Sequence, residues 1–251
     1  MNKSKLWTKN FIIVTLTNFF IALNYYLLIV VMVSYSMKTF AASPSEAGLA
    51  SSIFIIGSLV ARLFAGSLIE RVGRRKMLIM GTFLSLAMTL LYFVVNNMWL
   101  LYIIRFFHGT AYGIAATATG TIVANIIPKH RQGEGIGYYM LSMTLATAIG
   151  PFLGIFFIKH GSFRVIFIAC TISAILSIVN AFILSSSETK LTKEQIEAMK
   201  EFKWGNFFES RAIPISIVCG IIYFGYSSIL CFLSSYSKEI NLVNEIGRAH
   251  V

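Results

Sequence analysis

The chain is divided by its charges. Windows without a single Asp, Glu, Lys or Arg run over residues 10–37, 47–61, 77–104, 106–128, 135–158, 165–187 and 212–237. A bilayer core needs about 20 predominantly apolar residues per helix and tolerates a charge near a helix end. Because lipid offers backbone groups no hydrogen-bond partner, stretches of this length and polarity are read as helices that pair their own amides. The spacing predicts seven spans, at residues 10–36, 45–69, 77–95, 98–127, 135–158, 163–184 and 213–236.

Composition agrees. The chain is 57% hydrophobic and 12% charged, with a mean hydropathy of +0.75, where a soluble domain carries about 25% charged residues. A formal charge of +11 would in a soluble chain raise nucleic acid as a partner. Here the cations sit in short clusters between apolar runs, with no solvated basic face, so the expected partner is an anionic lipid surface and not nucleic acid. Cys170, Cys219 and Cys231 all fall inside apolar stretches without CxxC spacing or a neighbouring His. No metal site and no cofactor is expected from them. The first apolar run follows a basic tail, but it is too long for a signal-peptide core and lacks a small-residue cleavage site, so it reads as a retained span.

Asn96 and Asn97 alone separate the third and fourth spans, which predicts a helical hairpin. Orientation follows from the flanks. With a cytoplasmic amino terminus, the inner segments hold Lys3, Lys5, Lys9, Arg71, Arg74, Arg75, Lys76, Lys129, Arg131, Lys190, Lys193, Lys200, Lys203 and Arg211, and the outer ones hold Lys38, Lys159, Arg164 and Lys238. That is 14 cations against 4, strongly positive-inside. The expected organisation is a cytoplasmic tail (1–9), a six-helix bundle (10–184), a cytoplasmic linker (185–212) and a seventh helix with the start of a further bundle (213–244). Within the linker, Thr192 with Gln195 and Leu191 with Ile196 form a helix-start signal, and Ile196, Met199 and Phe202 share one face suited to a membrane surface. Residues 245–251 read as a non-native tail. Ile246 to Val251 can be back-translated as ATC GGA AGA GCA CAC GTC, which resembles a sequencing adapter in frame, and on that reading the biological chain continues with more helices.

Between the second and third spans lies "GSLIERVGRRK". Gly66, Glu70, Arg71, Gly73, Arg74 and Arg75 match G-x-x-x-D-R-x-G-R-R, with Glu70 in the Asp place. "LYIIRFFHG" supplies an Arg, Arg105, followed by Gly109, and "GYYMLSMTLATAIGPFLG" matches G-x8-G-x3-G-P-x2-G at Gly137, Gly150, Pro151 and Gly154, with Ala146 replacing one glycine. In these three motifs the chain resembles the major facilitator superfamily, and in the third its drug/proton antiporters. The resemblance implies an all-α integral membrane fold: a six-helix N-terminal bundle, a cytoplasmic linker and a seventh transmembrane helix, with five further helices to complete the second half. It also implies that Gly66, Glu70, Arg71, Gly73, Arg74 and Arg75 latch the two halves on the cytoplasmic side, and that Arg105 faces a central cavity and serves proton relay.

Several residues carry chemistry of their own. Arg105 lies about 9 Å below the outer surface at 1.5 Å per residue, where an unpaired cation costs several kcal/mol, so it needs a polar cavity or a partner. His108, Gly109 and Tyr112 follow at helical spacing and share its face. The imidazole of His108 titrates near working pH and could carry a proton, or could simply hydrogen-bond a neighbouring helix. The chain has no Asp, and the Glu residues of the spans sit at their ends. The coupling acid is therefore His108, or a carboxylate outside these residues, or the coupling is not to protons. Gly137, Gly150 and Gly154 offer close packing, and Pro151 a bend. Arg62, one turn before Gly66, is expected to reach the cytoplasmic interface. Asn18, Tyr25, Tyr112 and Tyr226 are candidate cavity walls, aromatic packing being the alternative for the tyrosines.

The expected function is a secondary transporter with proton and small-molecule partners, exporting small amphipathic compounds from a bacterial cell by alternating access. Importing or uniporting a sugar or other metabolite is the first alternative, and an inactive fragment or membrane scaffold the second. An enzyme is not expected, because the spans hold no clustered carboxylates, no His pairs and no Ser or Cys beside a base.

Overall fold

The computed structural model describes residues 5–160, 162–185 and 210–225. Its helices are α1 (Lys9–Phe40), α2 (Pro44–Val72), α3 (Arg74–Leu91), α4 (Met98–Ile126), α5 (Gln132–His160) and α6 (Phe163–Ile183), followed by α7, described over Ile213–Gly225. Short 3-10 turns at Tyr92–Val94, Lys129–Arg131 and Ser210–Ala212 complete the described elements. The chain forms two units, Met1–Glu197 and Ala198–Val251, and the six helices α1 to α6 belong to the first.

Local chemistry sets the helix ends. Thr8 caps α1 by accepting from the Phe11 amide at 3.2 Å. Pro44 stands in the first turn of α2, and Ser43 and Glu46 cap that helix reciprocally, satisfying amides that a helix start leaves without partners. Asn97 caps α4 by accepting from the Leu100 amide at 2.8 Å, so the polar pair of the predicted hairpin has one member committed to starting the next helix. Between α2 and α3 the predicted loop shrinks to one residue. Glu70, Arg71 and Val72 are helical, Arg74 begins the next helix, and Gly73 alone turns the chain at φ 99°, a region that L side chains rarely enter.

α2 packs on α4, α4 on α1 and α1 on α5, while α3 and α6 pack together behind α4 and α1. One face of the four-helix layer is therefore covered by α3 and α6. Two apolar clusters fill the bundle. One gathers at the Lys- and Arg-rich end around Phe11, Ile69, Leu78 and Ile122; the other lies toward the opposite end around Leu28, Met32, Leu101, Ile104 and Phe167. Large apolar side chains also cover the outside, among them Leu59, Phe83, Phe152 and Phe182, a surface suited to lipid and too apolar for water. Five of the bundle helices are long and apolar enough to cross a membrane. α4 falls short of that polarity measure because it carries Arg105, His108 and a run of threonines, which it can do because its neighbours enclose them. The predicted seventh span extends past Gly225, outside the described residues, as do the linker helix and the 245–251 tail.

Small residues draw α2 and α4 together. Gly109 lies directly against the Phe54 carbonyl, and Gly57 against the Phe106 carbonyl. A Cβ on Gly113 would stand 2.6 Å from the Ser58 carbonyl oxygen. Without lipid-excluded water to drive helices together, such backbone approach supplies the dispersion contact that holds them. We expect Gly109→Ala to lower the unfolding midpoint of the purified protein, with a cost of about 1–3 kcal/mol from forced separation, whereas Gly48→Ala, which meets nothing within 4 Å among the described residues, leaves it unchanged. Equal midpoints for the two variants would show that the crossing tolerates a methyl group.

Candidate functional site

Arg105 sits one turn above Gly109 on α4, and the close crossing lets its guanidinium reach the backbone of α2. Nε donates to the Ala50 carbonyl at 3.0 Å and Nη2 to the Ser51 carbonyl at 3.3 Å. The guanidinium carbon lies 4.6 Å from the centre of the Phe54 ring, a cation–π arrangement. The side chain is fully enclosed, and Nη1 has no hydrogen-bond partner among the described residues. A helical carbonyl keeps a second lone pair after serving its own amide, so α2 can hold the cation without breaking its ladder. Arg105 thus turns into the α2–α4 seam.

Next to it stands a relay of three side chains. Tyr92 Oη lies 3.0 Å from His108 Nδ1, and Ser85 Oγ lies 3.2 Å from His108 Nε2. Phe54 meets the imidazole edge-on at 5.4 Å between ring centres. Both ring nitrogens are thus engaged by hydroxyls from α3 and the turn that follows it. Each hydroxyl can donate or accept, so the trio satisfies either neutral tautomer and also the imidazolium. His108 and Tyr92 are buried. Tyr92 and Ser85 were not singled out by the sequence; their spacing of seven residues, two helical turns, is the signal that places both opposite one side chain.

A second polar network joins α1, α4 and α5. Asn18 Nδ2 donates to Ser142 Oγ at 2.9 Å, and Thr119 Oγ1 donates to Asn18 Oδ1 at 3.3 Å. Thr119 Oγ1 and Tyr139 Oη are 2.9 Å apart, and Ser142 Oγ donates to the Tyr139 carbonyl at 2.6 Å. Asn18 is buried within this network. Asn24 Nδ2 donates to the Cys170 carbonyl at 3.0 Å, and Ser173 Oγ donates to the Phe20 carbonyl at 2.8 Å, tying α1 to α6.

The candidate wall residues Tyr25 and Tyr112 come together. Tyr25 stacks on Phe54 at 5.0 Å, meets Tyr112 at 5.2 Å and Tyr26 at 4.8 Å. Arg62 is exposed beside them, its guanidinium carbon 5.9 Å from the Tyr112 ring centre. Arg62 lies about 15 Å from the end of α2 at Val72, at 1.5 Å per residue. Tyr226 lies outside the described residues.

At the basic end, Arg75 Nη2 donates to the Phe182 carbonyl at 2.7 Å, and Asn10 and Ser185 exchange hydrogen bonds. The starts of α3 and α1 are thereby pinned to the end of α6. Glu70 is exposed, and Arg71 and Arg74 stand in the same short segment. Gly66 meets nothing within 4 Å among the described residues. In α5, Gly150 lies against Tyr26 and Leu27, and Gly154 against Leu27 and Val31. Gly137 meets nothing within 4 Å, so its expected packing role is absent among the described residues. Pro151 lies inside α5, which stays helical through it. No cluster of His, Cys, Asp and Glu suited to a metal occurs among the described residues.

If both hydroxyls hold the imidazole, Tyr92→Phe and Ser85→Ala each weaken the α3–α4 seam by about 0.6 kcal/mol, an average interhelical bond in a membrane protein. Thermal unfolding in detergent should show each loss in the native background and neither in a His108→Leu background. Unchanged losses there would mean that the hydroxyls act without the imidazole.

The Major Facilitator Superfamily profile matches residues 14–247. The chain is 29% identical over 250 residues to Multidrug resistance protein 2 of Bacillus subtilis, covering 98% of this chain and 61% of that protein. It is 22% identical over 232 residues to the quinolone resistance protein NorA of Staphylococcus aureus, covering 89% and 59%. The fold is similar to the crystal structure of peptide transporter POT in complex with sulfate, with a TM-score of 0.67 at 15% identity, covering 95% of this chain and 50% of that one. The chain thus spans about 60% of the length of the curated relatives it matches. With three motifs, an enclosed arginine in α4 and a matching six-helix bundle, the chain belongs to the major facilitator superfamily.

Proposed function

We propose that the protein is a proton-coupled exporter of small amphipathic compounds, resident in the cell membrane with its amino terminus in the cytoplasm. The observation that carries this reading is the Ser85–His108–Tyr92 relay, enclosed beside Arg105 at membrane depth. An ionisable group there is costly and is kept for function more often than for stability. The names of the relatives, multidrug and quinolone resistance proteins, support export.

Arg105 and His108 carry the coupling in this proposal. A proton arriving at His108 makes both ring nitrogens donors, and Tyr92 and Ser85 rotate to accept. The new cation is repelled by Arg105, whose grip on the Ala50 and Ser51 carbonyls then weakens, and α4 slides on α2. Loss of the proton to the other side restores the grip. The substrate binds near the midplane between two rocking halves, with Asn18, Tyr25, Tyr112 and Tyr226 at its walls. Glu70, Arg71, Arg74 and Arg75, with Gly66 in the last turns of α2 and Gly73 at the turn, form the cytoplasmic gate latch, and Gly150 with Pro151 gives α5 its bend.

Everted vesicles carrying the full-length protein test this. An imposed proton gradient, acid inside, should drive accumulation of aromatic dyes drawn from anions, cations and zwitterions, and a protonophore should abolish it. Arg105→Leu should cut flux about 100-fold or more, as loss of an essential coupling charge would. His108→Gln should leave facilitated, gradient-independent dye exchange while removing its pH dependence. No gradient-driven uptake with any dye, or full flux in Arg105→Leu, would overturn the reading.

A further inference from the structure

The bundle carries two guanidiniums away from its helix ends, and among the described residues only one of them is hydrogen-bonded. Arg105 is enclosed and bonded to α2. Arg62 lies about 15 Å from one end of α2 and about 27 Å from the other, and it stands over Tyr112, the middle residue of α4. Tyr112 in turn packs on Tyr25 of α1, so Arg62 stands on the side of α2 where α1 and α4 meet. It is exposed, and among the described residues it makes no hydrogen bond and no ion pair.

Nothing acidic in the bundle balances it. The chain contains no Asp. Glu46 lies in the first turn of α2, Glu70 close to its last residue and Glu134 in the first turn of α5, all near helix ends. A lone guanidinium at this depth is costly, and a bound anion offsets that cost. Guanidinium pairs with a carboxylate or sulfonate through two parallel hydrogen bonds. Tyr25, partly exposed and packed at 5.0 to 5.2 Å on the buried rings of Phe54 and Tyr112, offers aromatic surface next to Tyr112.

We infer that Arg62 is a substrate-binding residue and that the bundle recognises aromatic compounds bearing an acidic group, anions or zwitterions, in preference to cations. Arg62 holds the acidic group and the Tyr25–Tyr112 cluster takes the ring. This rests on the transport reading above and narrows its substrate class.

The test is equilibrium binding to the purified full-length protein by fluorescence anisotropy, with fluorescein and rhodamine 6G, xanthene dyes of similar shape and opposite charge. With no gradient applied, the result is independent of proton coupling. The native protein should bind fluorescein about tenfold more tightly than rhodamine 6G, the scale of one charge-assisted pair. Arg62→Gln should erase that preference, and Arg62→Lys should keep most of it. No binding of fluorescein, a native preference for rhodamine 6G, or an Arg62→Gln protein that keeps the fluorescein preference would overturn the inference. Should Arg62→Gln fail to fold, the native dye preference and the Arg62→Lys protein decide. Fluorescein binding lost in Arg62→Gln, with no gradient-driven flux in vesicles, would uphold the binding site while sinking the transport reading.

Discussion

The bundle depends on how closely α2 and α4 approach. Gly57, Gly109 and Gly113 bring one backbone against the other, and only that distance lets the short reach of Arg105 end on the Ala50 and Ser51 carbonyls. The cation then satisfies itself on backbone oxygen in a place where no carboxylate is at hand. Neither feature works alone. A larger residue at Gly109 would pull the carbonyls out of reach, and an apolar residue at 105 would leave the crossing without its polar anchor.

Polar residues in the bundle divide into two classes by what they face. Asn24, Ser173 and the Asn18–Ser142–Thr119–Tyr139 network bond helix to helix, supplying the adhesion that lipid cannot. Arg62, by contrast, has ring faces beside it and no bonded partner among the described residues. Arg105 is enclosed and Arg62 exposed, and the carboxylates of the six helices, Glu46, Glu70 and Glu134, stand near helix ends.

Much of the fold was legible because lipid forbids alternatives. Apolar length set the number and approximate limits of the bundle helices, and the Asn96–Asn97 pair set the hairpin. Helix ends moved by a few residues where caps such as Ser43–Glu46 were overlooked and where helices outrun the bilayer; α1 is 32 residues long. The site was less legible. Arg105 and His108 stood out as polar residues in an apolar helix, yet their partners are backbone carbonyls and common hydroxyls, which carry no distinguishing letter in a sequence. The Gly109-x3-Gly113 spacing was an available signal for the α2–α4 crossing.

Sequence alone determined that this chain enters a membrane as helices, which residues flank them, and that α4 carries an arginine in need of a partner. Those facts follow from transfer free energies, which depend on composition along a single segment. Tertiary structure decided where each polar side chain finds its partner: that Arg105 faces α2, that both nitrogens of His108 are taken by α3 and its turn, and that Arg62 stands over Tyr112. Such pairings depend on helix rotation and separation, which are set by side-chain volumes on two helices at once and cannot be read from either one.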